Sequence, residues 1–350
     1  MPVSRILLLA AGAAALLLST ACASQQPAAS APAVRVVFPP APDEPVVEWT
    51  ATWKKASDVG MSQSAFQKIV VGAEEVDRAF VAPTSVAFAD DEKSLWVVDQ
   101  RLDSVFFVSE TRKAFDVFPG EGAGRITKAN AVATSPDASL FVSDVAARAV
   151  YQFGANRRFV AAYGGPALFT RPTGLAVSSD GRRLAVCDTP AHKVVIFSVP
   201  GAKVLRTLGG KAAGVEPGEF NSPYALAFDE GGFLYVADYL NYRIQVFGPE
   251  GDLVSTFGKP GDRPGDIGRP RGIAVDSAAG VIFEVDGAFQ VVQMFNLDSE
   301  LLMWFGLPGD GPGQFSLPSG IARRGQALAV ADTLNGRIQL FRFLGIPRKR

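Results

Sequence analysis

From about residue 80 onward the chain reads as short apolar runs, each about one strand long, broken by Gly-, Asp- and Asn-rich punctuation. In residues 221–248 the runs 225–228, 233–237 and 244–247 are separated by Asp-Glu-Gly-Gly and Tyr-Leu-Asn-Tyr, so three strands joined by tight turns are expected. The middle run of such a set is apolar on both faces of the strand, which describes a sheet covered on both sides. Three short strands cannot supply that cover themselves, so copies must flank them.

The copies can be aligned on two marks. A leading position falls at Pro83, Ala129, Pro172, Pro223, Pro270 and Pro318, and an Asp ends the second run at Asp99, Asp144, Asp188, Asp238, Asp286 and Asp332. Six repeats of about 45 residues fit four-stranded propeller blades and are too long for one solenoid turn. A fourth run follows in the first five repeats (113–118, 159–164, 203–209, 253–258, 301–306), whereas the sixth ends with 337–343. Residues 46–53, Val-Val-Glu-Trp-Thr-Ala-Thr-Trp, are therefore expected to supply the missing outer strand and remove two sheet edges. Phe66, Ile69 and Val70, spaced i, i+3 and i+4 between Ser62 or Ser64 and Gly72, predict a short helix. The expected fold is all-β: a six-bladed propeller of four-stranded antiparallel blades over 80–350, with the closing strand and helix in 39–79.

The N-terminus has a different pattern. Arg5 precedes an apolar run over 6–18, too short to span a bilayer comfortably, followed by Ser19, Thr20, Ala21 and Cys22, the layout of a secretory signal. Ser-Thr-Ala-Cys resembles the bacterial lipobox, with Ser19 where Leu is usual and Leu18 one place earlier. The resemblance implies a lipoprotein signal peptide over 1–21, lipidation of Cys22 and a flexible tether over 22–38; Ala23 and Ser24 resemble outer-membrane sorting. On that reading the body faces the periplasm on a membrane anchor; an ordinary cleaved signal and a cytosolic chain are the alternatives. With Cys22 lipidated, Cys187 has no partner for an intramolecular disulfide.

Composition adds exclusions. The chain is 48% hydrophobic and 20% charged, enough apolar material for a core, and its net charge of -1 gives no general drive toward nucleic acid or anionic lipid.

Phe-Asn-Ser-Pro-Tyr-Ala-Leu-Ala-Phe-Asp, Leu-Tyr-Val-Ala-Asp and Asn-Tyr-Arg-Ile-Gln-Val-Phe resemble the NHL repeat, as do Leu-Pro-Ser-Gly-Ile-Ala and Ala-Asp-Thr-Leu-Asn-Gly-Arg-Ile-Gln-Leu-Phe in the sixth copy. The linkers 214–220 and 309–315 fit the same pattern; the first three copies fit it less well. The resemblance covers roughly 80–343 and implies the fold; it leaves function open among RNA- and protein-binding modules and, in the wider six-bladed class, metal-dependent hydrolases and a lyase.

The chain has a single His, His192, expected in an exposed turn, so no multi-His zinc site can form within it. Cys187 occupies a slot filled by small residues in other repeats and reads as a buried thiol. The six Asp marks read as turn-satisfying groups, with Arg243 and Arg337 placed to pair with Asp238 and Asp332. No catalytic residue, metal or cofactor is expected. Glu284 stands where other repeats carry Val, and Arg323 replaces a Phe, Thr or Val of the first strand; the two are expected to pair between blades five and six. The residues after the leading marks, Thr84, Asn130, Thr173, Tyr224, Arg271 and Ser319, vary while the scaffold repeats, and should ring the central opening. Arg101 and Tyr239, with Gln100 and Phe289, are candidates from the loops after the Asp marks. The resulting expectation is a monomeric, non-catalytic envelope lipoprotein that binds a protein, peptide or glycan and no nucleic acid. The alternative is a metal-dependent hydrolase or lyase with oxygen ligands in the channel.

Overall fold

The computed structural model describes residues 35–61, 78–120, 122–210 and 212–347. Each repeat folds as an antiparallel meander in which strand order follows chain order. Blade one comprises Pro83–Phe88, Ser94–Asp99, Ser104–Ser109 and Ala114–Phe118. Blades two to five repeat this over 129–164, 172–209, 223–257 and 270–305. The first strands of successive blades pack around a ring, which closes where Pro318–Arg324 of blade six meets Pro83–Phe88. The fold is an all-β six-bladed propeller.

Blade six is completed from the N-terminal side. Val47–Trp53 pairs antiparallel with Arg337–Phe343, from Val47 opposite Phe343 to Trp53 opposite Ile338. A fifth strand, Val37–Phe38, adds to its edge. The expected tether over 22–38 thus gives its last residues to the sheet. Phe38 packs on the apolar cluster of blades five and six, its ring centroid 5.8 Å from that of Phe305. The helix expected near Phe66, together with the signal and Cys22, lies outside the described residues.

Alternation of side chains across each strand explains the doubly apolar pattern. In the second strand of blade five, Phe283 and Val285 pack toward blade six with Leu328 and Phe341. Ile282, of opposite parity, packs toward blade four with Tyr235 and Ala237. Full burial of such side chains contributes about 1.5–3 kcal/mol each, which lets the ring cohere through packing.

We call the end of the channel where the innermost strands begin the upper mouth. Here the six Asp marks, all with 0% exposure, tie neighbouring loops together. Asp99 accepts the N–H groups of Val81 and Ala82 at 2.7 and 3.0 Å and those of Arg101 and Leu102 at 3.0 and 3.2 Å. Asp144 and Asp286 bind four backbone donors in the same way. The loop leading into a blade and the loop between its second and third strands therefore share the upper face. Asp238 and Asp332 also accept from Arg243 and Arg337, at 2.9 and 2.7 Å, as the five-residue spacing predicts.

Candidate functional site

The residue after each leading mark and the residue after each Asp mark come side by side at the upper mouth, giving six pairs of varied residues. Two pairs close on themselves. Thr173 and Thr189 share a hydroxyl hydrogen bond of 2.6 Å, and Thr189 donates onward to the Pro223 carbonyl of the next blade at 2.7 Å. Ser319 and Thr333 do the same at 2.9 Å, with Thr333 donating to the Pro83 carbonyl at 2.8 Å. In both blades the polar groups are consumed by inter-blade hydrogen bonds, so neither Thr173 nor Ser319 lines the cavity.

The other four first-strand residues do. Thr84, Asn130, Tyr224 and Arg271 line a cavity of about 70 Å³ with the backbone at Gly174, Gly272 and Gly320. The glycines let adjacent innermost strands approach: a Cβ at Gly174 would stand 2.1 Å from the Tyr224 carbonyl oxygen. In blade one the residue after the Asp mark is Gln100 rather than Thr, and Thr84 Oγ1 is buried without a hydrogen-bond partner. In blade five that residue is Gly287, and the Arg271 side chain lies across it; a Cβ there would meet Arg271 Cδ at 2.4 Å. The guanidinium stands 5.5 Å from the Tyr224 ring centroid and donates from Nη2 to the Tyr224 hydroxyl at 3.4 Å, while its Nε is buried with no acceptor. Tyr224 in turn packs on Tyr239, their centroids 5.6 Å apart. Tyr239 thus joins the site through Tyr224, and Arg101 stands exposed in the turn after Asp99.

The residues just before the leading marks complete the rim. They are Ala82, Lys128, Arg171, Ser222, Arg269 and Leu317. Lys128, Arg171 and Arg269 are exposed, and their backbone N–H groups are fixed by Asp144, Asp188 and Asp286. With Arg271 the inner rim carries four cations and no carboxylate, and none of the four forms an ion pair among the described residues.

Below the cavity, Val86, Val132, Leu175, Leu226, Ile273 and Ile321 border both it and a wider opening of about 220 Å³ at the lower mouth. This apolar collar separates the two mouths. Arg323 belongs to the lower one, and the expected Glu284–Arg323 pair does not form. Arg323 Nη2 pairs with Asp276, and Nη1 lies 4.0 Å from Glu230. The reason is side-chain parity: Glu284 lies opposite Ile273, which packs toward blade four, whereas Arg323 shares the parity of Ile321, which packs toward blade five. Glu284 is fully buried; it accepts a long hydrogen bond of 3.4 Å from Gln293 and leaves Oε1 without a partner. Burial, reinforced by nearby Asp286, pushes its carboxyl well above the ordinary carboxylate range.

His192 is half-buried rather than exposed; its Nδ1 accepts the Ser222 N–H at 3.1 Å. Cys187 is fully buried, and burial raises its thiol well above the usual range, the reverse of an activated nucleophile. Sequence reasoning missed Gly287, Asp276 and the Thr189 and Thr333 bridges. A signal for Gly287 was present: it is the one glycine among the residues that follow the Asp marks.

The NHL repeat family model matches residues 169–197, from the loop leading into blade three to its third strand. NHL repeat-containing protein 2 of Gallus gallus is 32% identical over 96 residues, 26% of this chain and 13% of that protein. The chain thus spans a small part of that relative. A Bacteroides thetaiotaomicron protein of unknown function superposes with a TM-score of 0.61 at 16% identity, covering 85% of this chain and 75% of that one. A streptogramin B lyase gives 0.56 at 13% identity, covering 75% and 93%. The virginiamycin B lyase of Staphylococcus aureus gives 0.55 at 14%, covering 75% and 96%. At these identities the structural likeness speaks for the fold alone.

Proposed function

We propose that this NHL-repeat propeller is a binding scaffold without catalytic chemistry of its own, anchored at a bacterial cell envelope through Cys22, that takes a segment of a protein, peptide or glycan at its upper mouth. The observation that carries the reading is the fate of the varied pairs. Two close on themselves, while four blades direct Thr84, Asn130, Tyr224 and Arg271 to one cavity, where Thr84 Oγ1 and Arg271 Nε lack partners. A buried donor without an acceptor costs about 1–3 kcal/mol, and a ligand that accepts from these groups removes that cost. The cavity has room for about two waters and is bordered below by the apolar collar, so it suits one inserted group of a larger ligand.

The lining favours anions: it offers a guanidinium, an amide and hydroxyls and no carboxylate, the opposite of a divalent-cation site. Among the lyase structures with this fold is a catalytically inactive His-to-Ala variant of the S. aureus enzyme, solved with quinupristin. The single histidine of this chain instead supports the Ser222 backbone and does not line the cavity.

A photo-cross-linking residue in place of Arg101 at the upper mouth, and separately in place of Glu250 in a turn on the opposite face, tests the reading in cells. Adducts specific to position 101 are expected; matching patterns from both positions, or none from 101, would overturn it. Incorporation of an alkynyl fatty acid, lost in Cys22→Ser, tests the anchor.

A further inference from the structure

Resting on the upper-mouth reading, we infer that the group inserted into this cavity is a carboxylate carried by an acidic polypeptide segment. Three observations converge. Arg271 has no ion-pair partner among the described residues; its Nη2 is spent weakly on the Tyr224 hydroxyl at 3.4 Å, and its Nε is buried without an acceptor. Arginine presents a planar fork that matches a carboxylate in bidentate geometry. The neighbouring groups add donors: Thr84 Oγ1, buried and unpartnered, and the Asn130 amide line the same cavity.

The arm is built for this position. Gly287 removes the side chain that would occupy its path, and contact with Tyr224, itself backed by Tyr239, holds the guanidinium at the cavity. Around it Lys128, Arg171 and Arg269 stand exposed and unpaired one residue before their leading marks, at the inner radius of the face. They match further acidic residues flanking the inserted one and would steer an acidic segment to the mouth. A cavity of about 70 Å³ accommodates a carboxylate group but not a sugar ring or a folded loop, which selects a flexible chain.

The test is isothermal titration calorimetry on the full-length chain in detergent micelles at low salt. The probes are acetyl-pentaglutamate amide, acetyl-pentaglutamine amide, and acetyl-pentaglutamine with a free C-terminus. The glutamate peptide is expected to bind at least about tenfold tighter than the glutamine amide. Binding of the free-ended glutamine peptide as tightly as pentaglutamate would identify the inserted group as a chain terminus; weak binding of that peptide would identify it as a side chain. Arg271→Gln should lose at least about tenfold in affinity for the glutamate peptide. Gly287→Ala should lose affinity too, with every charge retained, because its Cβ displaces the Arg271 arm; Gly287 has no positive φ, so the fold accepts alanine there. Arg182→Gln, exposed on the opposite face, should leave binding unchanged. Equal binding of glutamate and glutamine amides, or full affinity in Arg271→Gln, would overturn the inference. If cross-links at position 101 persist in that case, the scaffold reading stands without it; if they are absent too, both fall.

Discussion

The two mouths of the channel use charge in opposite ways. At the upper mouth the carboxylates are buried in the architecture: six Asp side chains bind backbone N–H groups and two arginines, and the inner-rim cations are left without partners. On the lower face charges meet one another: Arg112 pairs with Asp90, Lys93 with Glu110 at 3.4 Å, and, at the mouth itself, Arg323 with Asp276. The upper rim therefore presents cations without ion-pair partners beside carboxylates held mainly by backbone donors, whereas the lower face joins several of its charges directly. The difference arises because turn geometry at the upper end has already claimed the acids that would otherwise neutralise the rim. The apolar collar keeps the two environments apart.

The sharpest way to break this contrast is to remove an upper carboxylate. Asp99→Ala leaves four backbone N–H groups without their acceptor, and a loss of about 4 kcal/mol is expected in urea denaturation. A loss under about 1 kcal/mol would put Asp99 in the class of surface charges. The collar comes next: Leu226→Ala, at a buried position bordering both openings, should cost about 3 kcal/mol by the same measurement. A negligible cost would mean that the ring does not depend on the collar's packing.

Glu284, directly behind collar residue Ile273, gives a pH-dependent test. Its carboxyl titrates well above the ordinary glutamate value of 4.5 in the folded protein, because burial disfavours the charged form. Below the unfolded pKa both states are protonated and the group has no pH effect; as pH rises past about 4.5 the unfolded chain ionises while the folded one does not, so stability falls until the folded pKa is reached. Glu284→Gln keeps the shape without this linkage. Its thermal midpoint should match the wild type near pH 4 and exceed it increasingly toward neutrality; parallel pH profiles would show that the carboxyl is solvated. The smallest effect is expected at the lower rim. Asp90 is held below the usual carboxylate range by the hydrogen bond from Arg112, yet both side chains are 44% exposed, and Asp90→Asn should change stability by less than about 0.5 kcal/mol. A large loss there would erase the distinction between the faces.

The candidate site was partly legible. Variation after the leading marks pointed to Thr84, Asn130, Tyr224 and Arg271, but it pointed equally to Thr173 and Ser319, whose hydroxyls are engaged. Whether a polar group is free depends on what faces it from another strand, and Thr189, Thr333 and Gly287 are distant in sequence from the residues they meet. The expected pairing of Glu284 with Arg323 failed for a related reason: both are departures from an apolar pattern in adjacent blades, yet strand parity turns Glu284 toward blade four.

Residue periodicity alone determined the architecture: blade count, strand order, the role of the Asp marks and the closing strand from 46–53. These follow from local physics, since apolar runs of one strand length, turn residues and backbone-satisfying carboxylates recur in register within each repeat. Tertiary structure decided everything that depends on a pair across strands or blades. It set which hydroxyls are spent, which carboxyl is buried in the core without a full set of partners, and why a guanidinium reaches one small cavity with nothing opposite its charge. Repetition fixes where side chains start, while ring closure fixes what they meet.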